Sequence, residues 1–133
     1  MALHPAAVVV RAGQVRDVDE LMSKVLMSIE DGDGACISVF CDVDKTDAHP
    51  GMTLHRLCAE SSIPNGQVQL STVARVNAAG FELDLDTSDD QARTHHNVNL
   101  RAPVEESQLL EFIGCFDEPI ANPVPKRQRK RGD

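Results

Sequence analysis

The chain has no tryptophan and no tyrosine, and only four phenylalanines, Phe40, Phe81, Phe112 and Phe116, in 133 residues. A single-stranded nucleic acid bound by base stacking needs exposed aromatic platforms. These four rings sit in apolar patterns, so that mode is disfavoured, and the core has to be aliphatic. No apolar run approaches the roughly 18 residues of a membrane span, so no membrane association is expected. Residues 1–10 also lack the basic start and long apolar middle of a secretion signal, which predicts a cytoplasmic protein. In that compartment the four cysteines default to reduced thiols rather than a disulfide framework.

What the chain does have is a division by charge. Of its 13 Lys and Arg residues, five lie in the hexapeptide Lys126-Arg127-Gln128-Arg129-Lys130-Arg131, leaving eight against 20 Asp and Glu in residues 1–125. The body therefore carries about −12 and the tail about +5. Pro119, Pro123 and Pro125 punctuate the junction, so residues 1–118 are read as a single globular domain and 119–133 as a linker with a disordered basic tail. The tail suits nonspecific contact with phosphates, or docking in an acidic groove on a protein. The acidic body repels nucleic acid beyond the tail's reach, which argues against a dedicated sequence-reading DNA protein.

Periodicity gives the elements. A β-rich run at residues 6–10 precedes a helical spacing of Val15, Val18, Met22, Val25 and Ile29, with Asp17, Asp19 and Glu20 at its positive end. Residues 35–41 are apolar on both faces, as in a central strand, so the three elements suggest a βαβ unit. A short helix follows at residues 53–62. Residues 67–80 read as strand then helix, with Ser71 or Thr72 as N-cap and Gly80 past the C-terminus. Residues 81–86 alternate strictly, so Glu82, Asp84 and Asp86 line one wet face, and residues 94–100 pair with this strand as a hairpin. Pro103 opens a last helix whose buried stripe is Leu109, Phe112, Ile113 and Phe116. The expected fold is α/β or α+β, a mixed sheet of about five strands with about four helices.

Chemistry-bearing residues are sparse. Asp31-Gly32-Asp33-Gly34 opens like a calcium loop but lacks the Glu near its twelfth position, and reads as a turn. Cys36 and Cys41 point to opposite faces of one strand, so no metal site is expected. His55 and Cys58 share a helix face, with nothing to supply an oxyanion hole. The string Ile37-Ser38-Val39-Phe40-Cys41-Asp42-Val43-Asp44-Lys45-Thr46 is an apolar strand running into Asp-x-Asp-x-Thr, and its leading reading is a strand that ends in a solvated acidic loop.

Over about ten residues the same string resembles the first motif of the haloacid-dehalogenase-like phosphohydrolases. The resemblance implies a Mg²⁺-dependent enzyme with Asp42 as nucleophile and Asp44 as acid/base. Thr72 or Ser71 would supply the second motif and Asp89-Asp90 the last acidic pair. The family's stabilising lysine has no counterpart between Lys45 and Lys126, so Arg75 or Arg93 would have to stand in for it.

The charge split favours the other class, a small non-enzymatic binding protein without cofactor. Its acidic body would engage a protein partner, as an antitoxin, immunity protein or accessory subunit does, with Glu82, Asp84 and Asp86 as the contact surface. Lys126, Arg127, Arg129, Lys130 and Arg131 would supply the cationic contacts to nucleic acid or an acidic surface.

Overall fold

A computed structural model describes residues 3–13, 17–88 and 91–129. Its elements run β1 (Val8–Ala12), α1 (Val18–Glu30), β2 (Cys36–Cys41), α2 (Leu54–Glu60), β3 (Gln67–Thr72), α3 (Val73–Ala78), β4 (Glu82–Leu85), β5 (His95–Asn99), α4 (Glu106–Gly114) and β6 (Ile120–Ala121). A 3-10 turn at Lys126–Gln128 follows. The architecture of the described residues is α+β, with four helices on one six-stranded sheet.

Local chemistry sets the boundaries. Asp17 caps α1 by accepting the Asp19 N–H, Thr53 caps α2 through the Arg56 N–H, and Thr72 caps α3 through the Arg75 N–H. Past α3, Gly80 takes φ +93°, a left-handed conformation that glycine adopts without penalty. The strand-then-helix reading of residues 67–80 therefore holds, with Thr72 as the cap. Helix α4 starts at Glu106 rather than at Pro103. The Gln108 side chain reaches back to bond both the N–H and the carbonyl of Arg101, which keeps the intervening chain out of the helix.

The strand order is β4-β5-β2-β1-β3-β6, and among the described residues every pairing is antiparallel. A mixed sheet with a βαβ unit was the expectation; instead β2 runs antiparallel beside β1, with Val9 opposite Cys41. The apolar pattern of residues 35–41 misled because it reports burial on both faces, and a central strand of either direction meets that condition. Helices α1, α3 and α4 cover one face, packing Leu21, Val25, Val76, Leu109 and Phe112 on Val9, Ile37, Val39 and Val98. On the other face α2 packs Leu57 and Cys58 with Met52 and Ile63 over Val10 and Val68.

The body does not end at residue 118. Ile120 and Ala121 pair with Val68 and Gln67, and Asn122 donates to the carbonyls of Ile63 and Asn65. Val124, only 3% exposed, joins the core beside α2. Prolines at 119, 123 and 125 spare the N–H groups of residues 120–122, and prolines flanking an edge strand are compatible with pairing. Residues 119–129 thus continue the fold, correcting the expected linker, while Lys130 and Arg131 fall outside the described residues.

Candidate functional site

The chain leaves β2 at Asp42, which is 3% exposed. Both carboxylate oxygens accept backbone N–H groups, Oδ1 from Asp44 at 3.0 Å and Oδ2 from Met52 at 2.9 Å. Gly51, at φ +87°, brings the returning backbone so close that a Cβ there would stand 2.1 Å from Asp42 Oδ2. Asp42 therefore closes the loop 42–52 by capping its two ends, as a short acidic side chain does in turns. A phosphorus-attacking carboxylate needs an oxygen free to approach its target, and here both serve the backbone.

Asp44 lies in a different network. Arg93 grips it with two bonds, Nη1 to Oδ1 at 2.8 Å and Nη2 to Oδ2 at 3.2 Å, and Arg56 Nη2 stands 3.0 Å from Oδ2. Both arginines also reach Glu60, so two carboxylates and two guanidiniums tie α2 to the turn before β5. The hydrogen bond from Arg93 is the main reason the Asp44 carboxyl is held below its ordinary range, with the positive charges of Arg93, Arg56 and His49 adding to it. A general acid must carry its proton near neutral pH, and this environment favours the ionised form.

The remaining residues of the phosphohydrolase pattern do not converge on Asp42. Asp42 N–H donates to the Val8 carbonyl, and Val8 pairs with Thr72, so Thr72 lies two strands over, about 10 Å away. Its hydroxyl caps α3. Arg75 pairs with Asp117 at 2.9 Å, away from this loop, whereas Arg93 does reach Asp44. Asp89 and Asp90 lie outside the described residues. Among the described residues no cluster of three or more His, Cys, Asp and Glu is placed to hold a metal ion. Burial pushes the Cys41 thiol up to about 12, with the Asp42 charge adding to it, and pushes Cys58 up to about 11; neither is poised as a nucleophile.

The acidic hairpin forms, but its alternation is only partly kept: Asp86 is half-buried beside His95, and Leu85, on the other side, is 52% exposed. Strand β4 ends the sheet and, among the described residues, pairs only with β5, Glu82 opposite Asn99, Leu83 opposite Val98 and Asp84 opposite Asn97. Glu82 and Asp84 are exposed. Asp84 accepts from the Asn99 amide, and Asp86 Oδ2 stands 3.0 Å from His95 Nδ1. The Ser88 N–H bonded to Asp86 is the first cause holding that carboxyl below its usual range.

The bond from Asp86 N–H to the His95 carbonyl fixes the phase of the ladder, so the backbone groups of Asp84 and Glu82 also turn toward β5. Those of Leu83 and Leu85 turn away from it. Among the described residues no other element bonds them. At the opposite end of the sheet, Lys126 and Arg127 are exposed, while Arg129 is half-buried and donates from Nε to the Val124 carbonyl at 2.9 Å.

No family model, no curated protein and no solved structure matches this chain. Among the described residues no helix is long and apolar enough to cross a membrane.

Proposed function

We propose that this chain is a non-enzymatic binding protein of the cytoplasm whose edge strand β4 receives an extended, basic segment of a protein partner. One observation carries the reading: β4 presents the unpaired backbone groups of Leu83 and Leu85 along an open sheet edge beside the exposed carboxylates of Glu82 and Asp84. An open edge is a template for a further strand, whose backbone bonds give affinity while alternate side chains give specificity. A second copy of β4 would set like charges against each other, whereas a lysine or arginine at every second position of the incoming strand would face Glu82 and Asp84. The protein thereby acts as an antitoxin, immunity protein or accessory subunit would, and Lys126 and Arg127 at the far end remain available for nonspecific contact with an acidic surface or nucleic acid.

The test is a titration of the full chain with a synthetic peptide of alternating valine and lysine, followed by amide hydrogen exchange. Protection should appear at Leu83 and Leu85, weaken with salt, and vanish in the Glu82→Lys/Asp84→Lys variant. Equal binding by that variant, or protection confined to other strands, would rule the reading out.

A further inference from the structure

The sheet is split at its centre. Among the described residues strands β1 and β2 pair only from Val8 with Asp42, through Val9 with Cys41, to Val10 with Phe40. Beyond that point β1 continues against β3, Arg11 with Gln69 and Ala12 with Val68, and β2 continues against β5, Ser38 with Asn97. The bond from Asp42 N–H to the Val8 carbonyl sets the phase of the β1–β2 ladder. In that phase the Ala12 N–H would bond the Ser38 carbonyl next. Instead the Arg11 guanidinium enters the gap, and its Nη1 donates to Ser38 O at 3.3 Å.

Around the gap lies a cleft of about 780 Å³ that passes between α1 and the wet face of the sheet, with Arg11, Lys24, Ser38, His95 and Asn97 among its walls. Two buried side-chain nitrogens on these walls have no hydrogen-bond partner among the described residues, Arg11 Nε and His95 Nδ1. His95 is 7% exposed, and its Nδ1, though 3.0 Å from Asp86 Oδ2, lies off the hydrogen-bond direction. Buried polar nitrogens without partners are uncommon in folded chains, because each loses its water and gains nothing in return. Burial also lowers the pKa of Arg11, an effect that the charge of Glu20 opposes. A guanidinium with one edge held by a carbonyl and an unbonded N–H on the other is shaped for an oxyanion.

We propose that this cleft binds a small molecule bearing a single oxyanion, carboxylate or phosphate, whose entry turns the Arg11 side chain so that Nε–H, closed to a water-sized neighbour in this structure, donates to it, with His95 and Asn97 contacting the rest of the molecule. Asp33 and Asp86 share the cleft, so the remainder of the ligand is neutral or cationic; polyphosphates and polycarboxylates are excluded by repulsion. The site is separate from the open edge of β4 and stands or falls apart from it.

The probes are acetate and inorganic phosphate, each titrated to 50 mM at constant ionic strength into the full chain, with the Arg11 Nε–H resonance followed by NMR. A saturating shift with acetate alone assigns a carboxylate ligand; one with phosphate alone, or with both, assigns the oxyanion site to phosphate or to either group. Arg11→Lys keeps the charge and removes Nε, and should weaken the effect at least tenfold, read from the amides of Ser38 and Asn97. Ser38→Trp, at an exposed position, fills the cleft without touching the core and should do the same. The absence of saturation with either probe, or binding unchanged in Ser38→Trp, overturns the proposal.

Discussion

Replacing Gly51 with alanine tests the loop built on Asp42. Gly51 has φ +87°, and so does Gly32 very nearly, at +85°, but a Cβ at Gly32 meets nothing within 4 Å whereas one at Gly51 meets Asp42 Oδ2 at 2.1 Å and Lys45 Cβ at 3.1 Å. Both substitutions incur the left-handed backbone penalty, about 1 kcal/mol. Only Gly51→Ala also drives a buried carboxylate off its donors. A hydrogen bond to a charged group is worth about 1.5–3 kcal/mol, so losing one of the two brings the total to about 2.5–4 kcal/mol, a large part of the 5–15 kcal/mol that stabilises a typical domain. Urea unfolding of both variants, compared at unchanged m, measures the difference. In an Asp42→Ala background the clash with the carboxylate disappears and only the tight contact with Lys45 Cβ is left, so the cost of Gly51→Ala should fall toward about 1 kcal/mol. Equal destabilisation by Gly51→Ala and Gly32→Ala would refute the assignment of Asp42 as the loop's clamp.

Three further outcomes follow from the packing. Asp44 has a depressed pKa in the folded state, so its contribution is present above the ordinary carboxylate value near 4 and is lost as pH falls through the lower folded value; the stability gap between wild type and Asp44→Asn should be constant from pH 7 to 5 and close below about 4, and a gap unchanged down to pH 2 would contradict the pairing with Arg93. The hydroxyls of Ser61 and Thr94 are buried and 2.7 Å apart, so Thr94→Val should cost about 1–3 kcal/mol by orphaning Ser61, and Ser61→Ala/Thr94→Val should cost less than the sum of the two single changes; strict additivity in a double-mutant cycle would deny the bond. Val124→Ala should cost about 2 kcal/mol, and a chain ending at residue 118 should melt at lower temperature than the full chain; identical melting would place residues 119–129 outside the core.

The elements were legible wherever one short-range rule governs them. Thr72 and Gly80 bracket α3 because capping is local, and the alternation of Glu82, Leu83 and Asp84 marks a strand because side chains in a strand alternate, although Leu85 breaks the expected dry face. Strand direction was not legible, since β2 is apolar on both faces in either sense. The end of the body was hidden because Pro119, Pro123 and Pro125 are linker signals, while the bonds that hold 120–124 go to residues more than 50 positions earlier. At the site, Arg93 was nameable as a cation for the aspartate loop, but only the fold decides that it grips Asp44 and leaves Asp42 to the backbone. Arg11 gave a weak signal, a lone charge at the end of Val8-Val9-Val10, and nothing in the sequence places it in a split between two strands.

That split has a consequence for how the chain is put together. On one side stand β2, β4 and β5, on the other β1, β3 and β6, so the polypeptide crosses from side to side four times between Val8 and Ala121. Neither half is a continuous stretch of sequence. No single cut releases one as a self-sufficient piece, and each half is complete only when strands far apart in the chain have arrived. Proteolytic dissection or fusion at an internal loop should therefore yield an all-or-none result, a whole molecule or none of it.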